Sequence, residues 1–401
     1  MDIRSPREVE LVLACARTQL DAQTIAHLKA LVKQPLDWHF IVAVSDEQGV
    51  LPLVYTSLNT HCPNDVPADA LQEMRRLFFA NAQEALFLTA ELLKILALFE
   101  ANHIAAIPYK GPVLASSAYG NVALRQFVDL DLLVHKQDIL RAKELLLQHD
   151  YRTLKDDSPE EDARLLKSGT YYDYILMRND NRFKVELHWG LARWYFPFGL
   201  DPQELWTRLE QVSLGVSVCP NLLPDDLLLI LTVHGAKHRW QRLKWICDIA
   251  ELVRAKQQAI HWDEVTARAK QYGTYRILLL GLYLAHDLLG AALPESILCQ
   301  IRAEPSLKHL TYLTQKVIFP GVYGYLTHSE RINFYLAMRE RRLDRLRYLL
   351  HLVGRFSPNE KDEDFMPVAG RAPMLGYVAR PIRLLREYGL SSMKHILGIN
   401  E

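Results

Sequence analysis

Between residues 104 and 190 the hydrophobic period of this 401-residue chain switches from helical to strand-like, and its fold must accommodate both. Up to about residue 100, and again from Pro224 onward, apolar side chains recur at three- and four-residue steps, the pattern of amphipathic helices. Ala80–Glu100 is the clearest instance. The stretch between is made of short alternating runs. Ile104–Tyr109 and Phe127–Val134 read as strands, and Tyr171–Met177 with Phe183–Trp189, either side of Asn179-Asp180-Asn181, predict a hairpin. Pro112 suits a first helical position and opens a short helix ending before Gly120-Asn121. Further helices are expected over 137–148, 225–238, 242–256, 262–272, 275–290 and 333–354. The fold class is therefore α+β, a small mixed β-sheet core within a predominantly α-helical chain. Its expected segments are 1–103, 104–222, 223–356 and 357–401. The last contains a polar linker, Ser357–Asp364, and a final helix near Arg380-Pro381.

Composition narrows the class further. Apolar residues make up 49% and charged residues 23%, enough for a packed core and too apolar for a disordered chain. Basic and acidic residues number 47 each, which excludes a general nucleic-acid-coating role while leaving room for a local basic patch. Five scattered cysteines without a Cys-x-x-Cys pair fit free thiols in a reducing compartment, so a cytoplasmic location is expected. The acidic residues within MDIRSPREVELVLACARTQL argue against a secretory signal. The apolar run Ile277–Leu293 carries His286-Asp287, costly to bury in hydrocarbon, and reads as a core helix; no membrane partner is expected.

Asp129 and Asp131 stand at i and i+2 on a strand, with Val128, Leu130 and Leu132 on the opposite face. Packing supplies no reason for two like charges side by side. Hard cations do, because Mg²⁺ takes carboxylate and phosphate oxygens. A two-ion site needs a third carboxylate, and Glu186 between Val185 and Leu187 on a neighbouring strand is the candidate. Otherwise the acids merely solubilise a sheet edge. Lys110-Gly111, between strand and helix, lets the backbone approach a phosphate and adds a charge. Arg125 either clamps phosphate or pairs with Asp129.

Lys110-Gly111 before a short helix, then Tyr119, Arg125 and Asp129-Leu-Asp131-Leu-Leu-Val134, resembles the uncharacterised bacterial nucleotidyltransferase family of the DNA polymerase beta superfamily. Trp38 with Gln48–Val54, Glu186-Leu-His-Trp189, His234 with His238, Arg242–Asp248 and Arg380–Leu384 are similar to the family's other blocks. The resemblance implies a minimal palm-like sheet with Asp129, Asp131 and Glu186 as ligands to two Mg²⁺ ions, Mn²⁺ being an alternative. A nucleoside triphosphate would bind at Lys110, Gly111 and Arg125. A nucleophile on a small molecule, peptide, protein or RNA would attack its α-phosphorus and release pyrophosphate. Pro112 departs from the superfamily, where serine or glycine follows the motif's glycine; without an N–H it removes one phosphate donor.

His188, His234, His238, Lys244 and Asp248 are expected along the acceptor or nucleotide side of the cleft. Two other readings compete. Pro112 suits a weakly active or inactive nucleotide-binding scaffold, and His234, His238 and Asp248 suit a metal phosphohydrolase, although the histidines also fit plain helix packing beside Trp240 and Trp245. The basic run Met338–Arg347 reads as a solvated helix face with Leu343, Leu346, Leu350 and Val353 on an apolar stripe, or as a polyanion strip.

Overall fold

The computed structural model describes residues 7–154, 158–168 and 171–354, together with Arg386. The linker and final helix expected beyond residue 356 lie outside the described residues. The N-terminal part is helical throughout: Arg7–Cys15, Ala22–Leu31, Trp38–Glu47, Leu51–His61 and the long Ala68–Ala101. Asp21 and Asp37 start two of these, their carboxylates accepting from Thr24 N at 2.7 Å and Phe40 N at 3.0 Å.

Next come the strands of a five-stranded mixed sheet: β1 Ala106–Pro108, β2 Asp129–Val134, β3 Tyr151–Thr153, β4 Asp173–Arg178 and β5 Lys184–His188. Their order is β1-β2-β5-β4-β3. The central β2–β5 pair is parallel, and β1–β2, β4–β5 and β3–β4 are antiparallel. The chain is thus α+β with a helical majority. A second hairpin, β6 Leu209–Leu214 with β7 Ser217–Leu222, turns at Gly215, whose φ of +65° suits a glycine-led turn.

Two hydrophobic cores share the sheet. Leu130, Leu132, Val185, Leu187 and Leu176 point to one side, against Leu88, Leu92, Ile95 and Phe99 of the long helix. The other core joins N-terminal helices to Pro224–Lys237, Leu243–Lys256 and Tyr275–Leu289. Tyr275–Leu289, which overlaps the apolar run Ile277–Leu293, is buried there; among the described residues no helix is long and apolar enough to cross a membrane. The five cysteines are free thiols.

The basic helix expected over 333–354 is instead two helices, His328–Ala337 and Arg342–Gly354. The break follows from two side chains turned inward. Arg339 is fully buried, its guanidinium donating to the Tyr195 carbonyl at 3.1 Å and lying 4.3 Å over the Tyr348 ring. Glu340 accepts from the N–H groups of Tyr275 and Arg276, at the start of helix Tyr275–Leu289. Leu343, Leu346 and Leu350 are exposed rather than packed.

Helix Gly111–Tyr119 bridges the two cores, with Val113 and Ala115 in one and Leu114, Ala118 and Tyr119 in the other. Beside it lies a buried clasp. Arg125 donates through Nε and Nη2 to both oxygens of Asp248 at 2.7 and 2.8 Å, and the Tyr119 hydroxyl donates to the same carboxylate at 2.7 Å. Asp248→Ala would strand the Arg125 guanidinium without its counter-charge, so a loss of about 3–5 kcal/mol is expected in urea unfolding. The Tyr119→Phe variant, which keeps the ion pair, should lose only about 1–2 kcal/mol.

Candidate active site

The alternation of β2 sends Asp129 and Asp131 to the sheet face away from the long helix. On β5 the same parity turns Lys184, Glu186 and His188 to that face, while Val185 and Leu187 enter the core. The parallel register sets Asp129 beside Lys184 and Asp131 beside Glu186. Three carboxylates and an imidazole therefore share one face of two adjacent strands.

Asp131 is almost wholly buried and accepts from Lys110 Nζ at 2.5 Å. The His188 Nε2 atom lies 3.2 Å from the same Asp131 Oδ1 and 3.5 Å from Glu186 Oε2. Donor atoms of Asp131, Glu186 and His188 all fall within 4.8 Å of one another. Asp129 stands just outside this group and connects to it through Lys184, whose ammonium is 2.9 Å from both Asp129 Oδ2 and Glu186 Oε1.

Burial would raise the acid pKa values, but the cations prevail. Lys110 and His188 hold Asp131 well below the usual carboxylate range, and His188 and Lys184 bring Glu186 down to about 2. His188 is opposed by burial too, yet its hydrogen bonds to Asp131 and Glu186 push it up. Its ring is held between Tyr109, edge-on at 5.6 Å, and Tyr172, stacked at 5.9 Å. Its Nδ1 is buried without a hydrogen-bond partner.

Lys110 caps the helix that begins at Gly111. Gly111 has φ of +56°, and a Cβ there would come within 3.3 Å of the Asp129 carbonyl oxygen, so this bend over β2 calls for glycine. Arg125 lines the same cleft, but its carboxylate partner is Asp248, not Asp129.

Across a cavity of about 410 Å³ stands a wall from two helices. Pro224–Lys237 supplies His234 and Lys237, with His238 just past its end; Leu243–Lys256 supplies Lys244 and Trp245. His234 and His238 lie 4.9 Å apart between ring centroids, and Trp245 packs on both. Burial, then Lys110, drives His234 well below its ordinary value; burial, then Lys237, takes His238 to about 3. Both are neutral at pH 7. Burial also lowers Lys237, with Lys110, and Lys244, with Arg125, to about 8.

The His234–His238–Asp248 metal set does not assemble, because Arg125 and Tyr119 take the Asp248 carboxylate. Among the described residues the groups able to hold an ion are Asp131–Glu186–His188 and the more exposed Asp225–His261–Glu264. Lys184 escaped the sequence reading although the alternation that picked out Glu186 also marks it. Asp173, which lines the cleft from β4, carried no comparable signal.

The N-terminal block also reaches this wall. Gln48 accepts from the backbone N–H of Leu243 through its side chain at 3.0 Å, and from that of Lys244 through its carbonyl at 3.1 Å. The side chain of Lys244 occupies the space a Cβ on Gly49 would need. Sequence blocks some 195 residues apart thus build one cleft.

No curated protein and no solved structure matched the chain. A family model described as uncharacterised nucleotidyltransferase matches residues 34–290, a span that takes in the Gln48 block, the whole five-stranded sheet and both helices of the facing wall. On that match, which covers more than half its length, the chain belongs to the uncharacterised nucleotidyltransferase family.

Proposed function

We propose that this protein is a divalent-metal-dependent enzyme that moves a nucleoside monophosphate from a triphosphate to an acceptor, releasing pyrophosphate. The observation that carries this reading is the face of β2 and β5. It gathers Asp129, Asp131 and Glu186 at the floor of a cleft whose opposite wall bears lysines. The donor set fits a small divalent cation: ionised oxygens and one imidazole nitrogen within reach of a single ion. A divalent cation held there by the carboxylates would neutralise charge on the triphosphate and orient the attacking group.

The side chains do the rest by placement. Glu186, held near pKa 2, is too weak a base to take a proton near neutrality; its role is to keep a full negative charge at the ion site. Lys110 and the Gly111 bend place the β- and γ-phosphates at the start of the short helix, and Lys237 and Lys244 face them across the cleft. Neutral His234 and His238 with Trp245 form the face for the base or the acceptor. The acceptor's nucleophilic atom bonds to the α-phosphorus and gives up its proton to water as the α–β bridging P–O bond breaks and pyrophosphate leaves. Arg125, spent on Asp248, shapes the cleft rather than binding phosphate.

Purified protein incubated with each of ATP, GTP, CTP and UTP, Mg²⁺ and cell extract should release pyrophosphate and form a labelled product with one of them. Asp131→Ala and Glu186→Gln should each lower that rate by about 10²-fold or more. Tight triphosphate binding without pyrophosphate release, across a broad acceptor panel, would instead assign a non-catalytic nucleotide-binding role.

Triphosphate affinity should depend on pH through the wall lysines. Both have pKa values lowered to about 8, so their charges are present below pH 8 and lost above it. The dissociation constant should therefore rise between pH 7 and 9. In a Lys237→Met/Lys244→Met protein it should be weaker at pH 7 and nearly flat across that range. An equally steep profile in the double variant would remove these lysines from the phosphate site.

A further inference from the structure

Two carboxylates and an imidazole, from three side chains, converge on the floor of the cleft. His188 Nε2 lies 3.2 Å from Asp131 Oδ1 and 3.5 Å from Glu186 Oε2, and the three groups fit around one ion. The imidazole cannot easily turn away. It is nearly fully buried, sits in the ladder between β2 and β4, and is flanked by Tyr109 and Tyr172. Its other nitrogen finds no partner, so the polar contacts of the ring are all on the Nε2 side, toward the carboxylates.

A nitrogen ligand changes which ion the site prefers. Mg²⁺ seeks oxygen and gives up water reluctantly. Transition divalents accept imidazole alongside carboxylate, with affinity for mixed nitrogen and oxygen sets rising from Mn²⁺ along the first row. Asp129, tied to Lys184 and outside the cluster, leaves Asp131, Glu186 and His188 as the nearest complete ligand set.

We propose that His188 is a metal ligand through Nε2, completing a one-histidine, two-carboxylate site that selects a transition divalent ion over Mg²⁺. This rests on the metal-dependent reading of the cleft and sharpens it, because it names the ion class and adds a ligand from β5. Lys110, whose ammonium contacts the same Asp131 oxygen, holds this position when no ion is bound and is displaced as one enters, and the Nε2 proton of His188 that faces Asp131 and Glu186 is released to solvent as that nitrogen binds the ion.

The test uses Mn²⁺ and the full-length chain without nucleotide. Pulsed electron paramagnetic resonance of the Mn²⁺-loaded wild type should show nitrogen modulation, and uniform ¹⁵N-histidine labelling should convert it to the ¹⁵N pattern. His188→Gln should abolish it and should lower the Mn²⁺-over-Mg²⁺ preference in competition titrations by about tenfold or more. The wild-type labelling result stands without any variant, and circular dichroism with unfolding curves establishes that His188→Gln is folded. Bound Mn²⁺ without nitrogen coupling would overturn the ligand assignment while leaving a carboxylate ion site and the transferase reading intact. Nitrogen coupling that survives in His188→Gln and disappears in His234→Ala or His238→Ala would overturn it in favour of the opposite wall. Failure of Mn²⁺ to bind at all would remove both this ligand and the metal-dependent reading.

Discussion

Asp131 and Glu186 are directly opposite each other across a parallel pair of strands, Asp131 buried and Glu186 half-buried at the floor of the cleft. Like charges in that relation destabilise a sheet, and the penalty grows as the surroundings become less polar. Most of the local architecture answers this one repulsion. Lys110 reaches from the helix start to Asp131, Lys184 lies between Asp129 and Glu186, and His188 leans on both Asp131 and Glu186. The chain thus carries its own counter-ions, each set within a strand's reach of the acids. The lowered acid pKa values report the balance: attraction from these cations exceeds the cost of burial.

The opposite wall follows a complementary rule. Its histidines are neutral and its lysines have pKa values near 8, because burial among other cations disfavours further positive charge. An anionic floor faces a wall that welcomes negative charge. A polyanion would be drawn to the wall directly and to the floor only through cations bound between it and the carboxylates, which is why the proposed triphosphate requires a metal. The clasp of Arg125, Tyr119 and Asp248 holds the segment leading into β2 against the helix that carries Lys244 and Trp245, so floor and wall keep their spacing.

Much of this was legible in the residues, and the reasons differ. The helices over 224–237, 243–256, 262–272 and 275–289 were readable from their apolar period, reinforced by Pro224, Gly273 and Gly290 at the boundaries of three of them. The strand faces of Asp129, Asp131 and Glu186 were readable because alternation has only two outcomes. The partner of Arg125 was not, since it lies 123 residues away and leaves no periodic trace. The break before Arg342 was hidden because Arg339 and Glu340 read as solvent-loving, whereas both satisfy buried groups. The hairpin at Gly215 was missed although its glycine turn is an ordinary signal. Its strands carry Glu210, Gln211 and Pro220, which blur the alternation.

The order of strands has a consequence for how the chain acquires its chemistry. β2 and β5 are neighbours in the sheet, yet β3 and the β4–β5 hairpin must be made and folded back before they meet. Pairing of that kind closes a long loop and comes late on the folding path. Until it closes, the two halves of the acidic floor are on separate pieces of structure, and neither can chelate alone. In a nascent chain emerging from the ribosome, any ion that binds at Asp131, Glu186 and His188 would therefore have to wait until β5 has docked, coupling occupancy of this site to the completion of the central sheet.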